Sequence, residues 1–407
     1  MKRHSTFTIY HLSLAAFILF NVQCLMINVS AQIAVRGETV WTMAGEPIQN
    51  GVVLVNRGKI EAVGAANQIK IPANYRILTA KTVTPGLIDA HSVVGLAGYM
   101  NQPNDQMQVE TSAPMQPELR AIDAYNAEDR LIEWIRSFGV TTIHTGHAPA
   151  ALSSGQTMIA KTFGKSVEEA AINPTAMISV TLGESGLASG GKSPGTVSKA
   201  AAMLRAELIK AQTYGAKPDS PRDLRAEMWK KVVTGEIQLL VTAHKARDIM
   251  TALRIAKEFN IKIVLDGASE AHTVINEIKA SGFPVVVHPT MYRAGGETKG
   301  LSMETAAKLK KAGILVALQS GYETYVPKTR VVLFEAGAAA ANGLSPRDAL
   351  ATITIDAARI LGIDKRVGSI EKGKDADLAM YDGDPFEYTT HCTGTIINGQ
   401  LVSEIVR

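Results

Sequence analysis

Val83-Thr84-Pro85-Gly86-Leu87-Ile88-Asp89-Ala90-His91-Ser92-Val93 is the stretch of sequence that decides the fold. Its apolar residues predict a buried strand, and the polar residues at its carboxyl end predict that the strand opens onto a site. Two histidines at positions i and i+2 of a strand project to the same side and can bind one metal ion. Here His91 is followed by Val93, and valine binds no metal. The stretch therefore predicts a strand that ends at a site and supplies only one of the two histidine ligands.

The composition is that of a globular protein with room for one large domain and a smaller one. Of the 407 residues, 46% are hydrophobic and 20% are charged, which argues against disorder. The formal net charge is +4, and Lys2 and Arg3 supply two of those charges, which leaves +2 for residues 32–407. This charge is too small to indicate binding to nucleic acid or to a membrane surface, and we expect neither partner.

Residues 1–31 have the pattern of an export signal. Lys2 and Arg3 precede an apolar run over residues 9–20, and Val29-Ser30-Ala31 offers small residues for cleavage. A membrane anchor is the alternative, but the run is shorter than the roughly 20 apolar residues that span a bilayer. We expect an exported protein, periplasmic or secreted, from which the signal peptide 1–31 is removed.

Cysteine usage predicts a protein that is stabilised by its core. The chain contains only Cys24 and Cys392, and Cys24 lies in the leader. A lipoprotein anchor at Cys24 is the alternative, but Gln23 is a poor neighbour for that processing. The mature chain then has one thiol and no internal disulfide, so its stability must come from a large core.

Both ends of the mature chain have the pattern of short strands and turns. Residues 51–64 predict a hairpin with Asn56-Arg57-Gly58 at its turn, and residues 375–381 and 395–402 predict two more strands. Neither end could bury a core alone. We therefore predict one small β-sandwich domain that is built from residues 32–80 and 366–407.

Residues 81–365 alternate apolar, β-branched strands with helices. Predicted helices include residues 246–259, one that Asn126 caps and that runs to Phe138, and one that runs from Ser345-Pro346 to about residue 361. Repeated strand–helix units predict an α/β fold with a parallel sheet covered on both faces, either as a barrel or as an open sheet. The number of units over these residues favours a (β/α)8 TIM-like barrel.

Two polar loops are expected near the carboxyl ends of the strands. Residues 101–119 contain three prolines and follow the first barrel strand, so they should overhang the face where such barrels hold their chemistry. A solvated surface loop is the alternative interpretation. Residues 188–195 are rich in Gly and Ser, but the spacing of their glycines does not fit a phosphate-binding loop.

The chain resembles the amidohydrolase superfamily, and within it the imidazolonepropionase-like branch. The resemblance rests on residues 83–91, on the split β-domain, on the central strand–helix repeat and on the closing segment from Val367 to Leu378. It covers essentially the whole mature chain. It implies a hydrolase of non-peptide C–N bonds with one or two metal ions at the strand ends, where the metal makes hydroxide available.

The resemblance also implies which positions bind metal. It assigns ligands to two histidines after strand 1, one after strand 5 and one after strand 6, and a proton-shuttling aspartate after strand 8. His91 matches the first histidine, while the other four positions are occupied by Val93, Thr242, Gly267 and Gly321. A catalytic zinc generally needs three protein ligands. The resemblance therefore implies a vestigial metal site, and we expect no cofactor.

A substitute site is the alternative. The candidate pocket residues are His91, His144, His147, Glu184, His244 and His288. They predict either a relocated zinc centre or side chains that line a pocket and hydrogen-bond their neighbours. Ser92, Thr242 and Ser320 are interpreted as neutral fillers of a former metal cavity, and not as nucleophiles.

Three functions follow from these patterns. We interpret the chain as a pseudoenzyme, which binds a small-molecule ligand at the barrel mouth or pairs with an active amidohydrolase paralogue. The first alternative is an active metal-dependent hydrolase of non-peptide C–N bonds with a rearranged site. The second alternative is a structural or assembly subunit, for example within a homo-oligomer.

Overall fold

The computed structural model describes residues 32–215, 221–288, 294–322 and 331–406. The expected signal peptide, residues 1–31, lies outside the described residues. Within the described ranges, no helix is both long enough and apolar enough to cross a membrane.

The described residues form a chain of strands and helices that begins and ends with strands. The strands are β1 Ile33–Val40, β2 Ile48–Asn56, β3 Lys59–Ala65, β4 Arg76–Pro85, β5 Leu87–Ser92, β6 Val140–Thr145, β7 Ser153–Gln156, β8 Met158–Lys161, β9 Ala171–Asn173, β10 Met177–Thr181, β11 Gln238–Ala243, β12 Ile263–Gly267, β13 Val285–Val287, β14 Val316–Leu318, β15 Leu378–Tyr381, β16 Cys392–Ile397 and β17 Gln400–Ser403. The α-helices are α1 Arg130–Arg136, α2 Val167–Ala170, α3 Val197–Thr213, α4 Leu224–Val233, α5 Ala246–Phe259, α6 Ile275–Ser281, α7 Thr305–Lys311, α8 Val332–Ala341, α9 Pro346–Thr352 and α10 Ile355–Ile360.

The two ends of the chain join in one seven-stranded sheet. Its strand order is β17-β16-β15-β4-β1-β2-β3. β4 pairs parallel with β1 and antiparallel with β15, so it stands between the N-terminal and the C-terminal strands. β4 also runs past residue 80 to Pro85 and leads directly into β5. The sheet thus contains both segments that the sequence assigns to a small β-domain.

The turns of this sheet follow from their residues. Arg57 and Gly58 between β2 and β3 have φ angles of 50° and 77°, and Asn398 and Gly399 between β16 and β17 have 49° and 73°. Two successive positive φ angles match the twist of a hairpin, and Gly58, Asn398 and Gly399 adopt them at low cost, while Arg57 takes the remaining position. The predicted turn at Asn56-Arg57-Gly58 is therefore present.

The central part of the chain is an α/β fold of the TIM-barrel type. β10 to β14 run parallel and in chain order within a six-stranded sheet, and β5 and β6 run parallel within a four-stranded sheet. A parallel bridge between Ser92 and Gly321 joins the end of β5 to the residues that follow β14. The carboxyl ends of the parallel strands therefore meet in one region, which we call the mouth.

An apolar floor lies beneath the mouth. Leu240, Val264 and Val286 from three adjacent strands pack with Ala317 and with residues of α10 in one buried cluster. Side chains two residues apart on a strand point to the same side. The residues two positions beyond this floor are polar: Thr242, Asp266, His288 and Gln319. The fold thus places a buried polar layer directly on an apolar one.

Two predicted helices are corrected by the structure. The helix expected from Asn126 to Phe138 is only Arg130–Arg136, because Asp129 caps it by accepting a hydrogen bond from the Leu131 N–H. The helix expected from Ser345-Pro346 to about residue 361 is divided into α9 and α10, because Thr354 has non-helical φ and ψ angles of −139° and −100°. The predicted helix over residues 246–259 coincides with α5.

The loop over residues 101–119 is fastened to the strands around the mouth. The Ala148 N–H donates to the Gln108 carbonyl at 2.8 Å, and the Gln156 N–H donates to the Leu119 carbonyl at 2.7 Å. Gln108 itself is only 2% exposed. This loop covers the strand ends and is more than a solvated surface loop.

Candidate functional site

Four buried side chains meet at the mouth, and we call them the mouth cluster: His91, Thr242, Asp266 and Gln319. Oδ1 of Asp266 lies 3.0 Å from Nδ1 of His91 and accepts a hydrogen bond from Nε2 of Gln319 at 2.6 Å. Oδ2 of Asp266 accepts a hydrogen bond from Oγ1 of Thr242 at 2.6 Å. A carboxylate can only accept, so Nδ1 of His91 carries the proton in this contact. Asp266 is therefore the centre of the cluster.

The chain positions this cluster through strand register. Thr242 on β11 is the register partner of Asp266 on β12, and paired residues of parallel strands point to the same side. Burial by itself would raise the pKa of Asp266, but His91 and the hydrogen bonds of Thr242 and Gln319 outweigh it and lower that pKa to about 2. Asp266 is thus held as a carboxylate although none of it is exposed.

A second buried acid lies beside the cluster. Asp89 accepts hydrogen bonds from the backbone N–H of Ser320 at 3.0 Å and from the Ser320 hydroxyl. Burial raises the pKa of Asp89 to about 6, although the hydrogen bonds of Ser320 and His91 oppose that shift. Ser320 therefore binds Asp89 and does not face solvent as a nucleophile would.

His144 is locked into the wall of the mouth. Its Nδ1 lies 2.7 Å from the Ala90 carbonyl, and its Nε2 lies 2.6 Å from the Thr157 hydroxyl. Burial lowers the pKa of His144 to about 3, because the charged imidazolium would lose its hydration. His144 is therefore a neutral ring with both nitrogens engaged by protein atoms.

His244 occupies the space beside Gly267. Nδ1 of His244 lies 2.7 Å from the Ser269 hydroxyl, and its Nε2 lies 2.8 Å from the Tyr322 hydroxyl. A Cβ atom on residue 267 would lie 2.6 Å from Cε1 of His244, closer than real Cβ contacts allow. Gly267 also has a φ of 74°, which favours glycine. A side chain at position 267 would therefore have to displace the His244 ring.

Val93 and Gly321, at the other two altered positions, also have structural roles. Val93 is fully buried and packs with Ala97, Ala148 and Tyr322. Gly321 has a φ of 103° and forms the bridge to Ser92 that joins the two sheets. Apolar packing and backbone pairing thus take the place of the polar groups expected there.

The remaining candidates lie at the edge of the mouth or outside it. Glu184 is exposed and forms an ion pair with Lys245, so it does not join the mouth cluster. His147 is 7% exposed, and burial lowers its pKa although Glu110 opposes this. The His288 ring lies 5.4 Å from the Tyr322 ring, and Tyr322 also lies 5.7 Å from the His91 ring. The structure brings His91, His144, His244 and His288 into one region but leaves Glu184 apart.

The donor set at the mouth does not fit a catalytic zinc. The Asp266 contact on Nδ1 orients His91 as a metal-bound histidine is oriented, which would leave Nε2 as a ligand. His144 and His244 have both ring nitrogens engaged with protein atoms. In the part of the chain that the structure describes, no group of three or more His, Cys, Asp or Glu side chains could hold a metal ion. A catalytic zinc generally takes three protein ligands, which the described residues do not bring together.

The family is decided by comparison with known proteins. A family model described as "Amidohydrolase family" matches residues 96–403. The chain belongs to the amidohydrolase family. An amidohydrolase from Thermotoga maritima MSB8 has a solved structure that is 31% identical, with a TM-score of 0.85, and the match covers 92% of this chain and 100% of that one. This agrees with the TIM-barrel type of fold seen in the central strands.

Curated relatives place this amidohydrolase on the imidazolonepropionase-like branch. The imidazolonepropionase of Geobacillus sp. (strain WCH70) is 26% identical over 401 residues, which cover 87% of this chain and 90% of that protein. Amidohydrolase tasK of Hapsidospora irregularis is 23% identical over 416 residues, which cover 86% of this chain and 41% of that protein. The family resemblance seen in the sequence is therefore confirmed.

Three residues of this amidohydrolase site were missed from the sequence: Asp266, Gln319 and Tyr322. Asp266 and Gln319 each stand at the end of an apolar, β-branched strand. A charged or amide side chain in a strand buried on both faces needs a partner, because its burial without one is costly. That signal was present for Asp266 and Gln319. Nothing comparable marks Tyr322, which follows a glycine in a polar stretch.

Proposed function

We propose that this amidohydrolase-family chain is a pseudoenzyme, whose mouth binds a small ligand without a metal ion. The supporting observation is the mouth cluster. Of the positions where the family resemblance implies a metal-binding histidine, only position 91 holds a histidine. His91 is paired with Asp266. Asp266 is completed by Thr242 and Gln319, so its negative charge is met by protein donors. The carboxylate oxygens that a metal ion would meet are already engaged by hydrogen-bond donors of the protein.

Each altered position supports the proposal in its own way. The Thr242 hydroxyl donates to Asp266, where a ligand histidine is implied in relatives. Gly267 leaves room that the His244 ring fills. Val93 and Gly321 contribute packing and a backbone bridge. Replacing charged or polar ligands by such groups removes the cost of leaving them buried without a metal.

The proposal includes the finer architecture of the chain. The bridge between Ser92 and Gly321 supports closure of the parallel strands into a (β/α)8 barrel. The seven-stranded sheet, with apolar residues packed on both of its faces, supports a small β-sandwich domain formed by both chain ends. A crystal structure of the full chain tests both features.

Elemental analysis of the purified protein tests the absence of metal. The full chain is produced in zinc-supplemented medium, dialysed, and compared with its His91→Ala variant. We expect zinc far below one ion per chain in both proteins. One zinc per wild-type chain that is lost in His91→Ala would overturn the pseudoenzyme and would favour a hydrolase with a rearranged site.

Pairing with an active paralogue or with a second copy is the other part of the proposal. Its supporting argument is that a mouth without metal chemistry would act by binding, either to a ligand or to another chain. Affinity capture of the tagged chain from its native cell, followed by mass measurement of the complex, identifies a stoichiometric partner. A purely monomeric chain with no captured amidohydrolase would leave ligand binding as the function.

Export is proposed from residues 1–31 alone. The charged start and the apolar run over residues 9–20 support removal of a leader after Ala31. The mass and the N-terminal sequence of the protein from its native cell test this. A chain that retains Met1 in the cytoplasmic fraction would contradict export.

A further inference from the structure

Three buried polar atoms at the mouth have no hydrogen-bond partner among the described residues: Nε2 of His91, Oε1 of Gln319 and Oγ1 of Thr181. His91 and Gln319 are fully buried, and Thr181 is 1% exposed. Buried polar atoms without partners are uncommon, because each costs about 1–3 kcal/mol. Three of them in one layer indicate that the layer is completed by something other than the described residues.

Strand register places these atoms in one layer. Thr181 on β10 is the register partner of Thr242 on β11, which is the register partner of Asp266 on β12. Val180, Val241 and Leu265, which precede these three residues, pack into the core with the covering helices, so the side chains of the three point to the opposite side. His91 and Gln319 approach that same side, because both contact Oδ1 of Asp266.

The orientation of each group follows from Asp266. The carboxylate accepts only, so the amide nitrogen of Gln319 faces it and the amide oxygen points away as a free acceptor. Nδ1 of His91 faces the same carboxylate and leaves Nε2 on the far edge of the ring. The Thr181 hydroxyl can both donate and accept. Nε2 of His91 and Oε1 of Gln319 both accept, so a group that satisfies them must supply two donor hydrogens, and an acceptor on that group could take the hydrogen of the Thr181 hydroxyl.

Charge decides between a neutral group and an ion. Asp266 is already met by three donors, and His144 beside His91 is engaged through both ring nitrogens. An added anion would be buried beside the Asp266 carboxylate, and an added cation would find both oxygens of that carboxylate already engaged by hydrogen-bond donors, so either ion is costly to bury there. A neutral group has no such cost, because it needs only hydrogen bonds.

We propose that His91, Thr181 and Gln319 form a binding site for one small neutral hydrogen-bonding group, either an internal water molecule or the amide edge of a small ligand. This inference rests on the proposed absence of a metal at the mouth. The site joins residues from three different strands or strand ends, and His91 is its residue of the type that the resemblance implies for a metal ligand.

Thr181→Val tests the site, because valine has the shape of threonine without its hydroxyl. If the hydroxyl binds a group, the melting temperature of the full chain falls by roughly 1–3 °C, as for one lost hydrogen bond. Thr242→Val, which loses its bond to Asp266, calibrates that fall. An unchanged or raised melting temperature in Thr181→Val would overturn the proposal, since it would mean that an unsatisfied hydroxyl was removed.

Acetamide and acetate distinguish the two sources and test neutrality. The two probes have nearly the same shape but differ in charge. Stabilisation of the wild-type chain by acetamide, but not of Thr181→Val, supports an amide ligand. No effect of acetamide together with the expected fall in Thr181→Val supports an internal water. Stronger stabilisation by acetate than by acetamide would overturn the neutral site.

Failure of this inference is distinguishable from failure of the pseudoenzyme proposal. Zinc analysis of the wild-type chain reports on the metal alone and does not depend on Thr181. A metal-free protein with an unchanged melting temperature in Thr181→Val would overturn only the neutral site. A zinc-bound protein would overturn the pseudoenzyme proposal and this inference with it, because the inference depends on a metal-free mouth.

Discussion

Two buried acidic clusters differ in how their charge is met. At the mouth, Asp266 is balanced by a histidine, a hydroxyl and an amide. Beneath the strands lies a second group of charges, which we call the base cluster. Lys161 forms ion pairs with both Asp375 and Asp377. Lys59 and Arg366 form further ion pairs with Asp375. The Gly86 N–H donates to the Asp377 carbonyl, so this cluster stands at the start of β5, while the mouth stands at its end.

The two clusters differ in whether their charges are needed to hold the fold together. The base cluster ties the β2–β3 hairpin, through Lys59, and the closing segment, through Asp375, to Lys161 at the end of β8. Removing Lys161 takes away the ion-pair partner of buried Asp377, whereas Asp375 keeps Lys161 and Arg366 when Lys59 is removed. The mouth cluster joins side chains from strand ends only, and neutral donors suffice there. Under the proposed function, the residues at the mouth have changed while the base cluster at the other end of the strands stabilises the fold.

The largest effect is expected from breaking the base cluster. Lys161 is 2% exposed and contacts both acids. Lys161→Met should lower the free energy of unfolding by about 3–5 kcal/mol, measured by urea denaturation. The matched control is Lys59→Met, since Lys59 is 53% exposed and should contribute less than about 1 kcal/mol. Equal losses in the two variants would contradict the central role of Lys161.

The next effect concerns the centre of the mouth cluster. Asp266→Asn removes the negative charge that three donors bind. It also places the N–H group of the new asparagine side chain opposite one of those donors. We expect a loss of about 2–4 kcal/mol in the free energy of unfolding by urea denaturation. Asp382→Asn is the control, because Asp382 is 43% exposed and bonds His391 at the surface. A loss at Asp266 no larger than at Asp382 would mean that the mouth cluster contributes nothing to stability.

The pH dependence of stability sharpens the contrast through Asp89. The folded chain holds the Asp89 proton up to a pH of about 6, whereas the unfolded chain releases it near pH 4. The contribution of Asp89 to the free energy of unfolding therefore falls as the pH rises from about 4 to 6, by at most about 3 kcal/mol. Asp89→Asn should remove that slope in urea denaturation at several pH values. An unchanged slope would show that other groups cause it.

The smallest effect tests whether His244 fills the Gly267 position. Gly267→Ala should cost about 1–3 kcal/mol, from its positive φ and from contact with the His244 ring. Gly373→Ala is the matched control, because Gly373 has a φ of 91° but no atom within 4 Å of an added Cβ. A double-mutant cycle of Gly267→Ala with His244→Ala isolates the contact. Zero coupling would mean that His244 does not exclude a side chain at position 267.

Local sequence signals account for much of the fold. α5 was predicted with both of its ends, because Ile249, Ala252, Leu253 and Ala256 recur on one buried face and Asn260 ends the helix with a φ of 52°. The helix predicted from Asn126 was wrong at its start, since two acceptors compete there and Asp129 lies closer to the apolar stretch that the helix buries. Helix existence was therefore predictable, while the choice of cap was not.

The site was predictable only in part. His91, His144, His244 and His288 were chosen as pocket residues because they end strands, and they do lie in one region of the fold. Their partners were not predictable, since His91 and Asp266 are separated by 175 positions and meet only through strand order. The space between Gly267 and His244 likewise depends on a backbone angle that the sequence does not state.

The most direct test of the account is a crystal structure of the full chain after soaking in zinc, with diffraction recorded at the zinc absorption edge. The account predicts no anomalous peak at the mouth, with His91 still bonded to Asp266. A zinc peak within bonding distance of Nε2 of His91, with further protein ligands around it, would contradict the claim that side chains have replaced the metal.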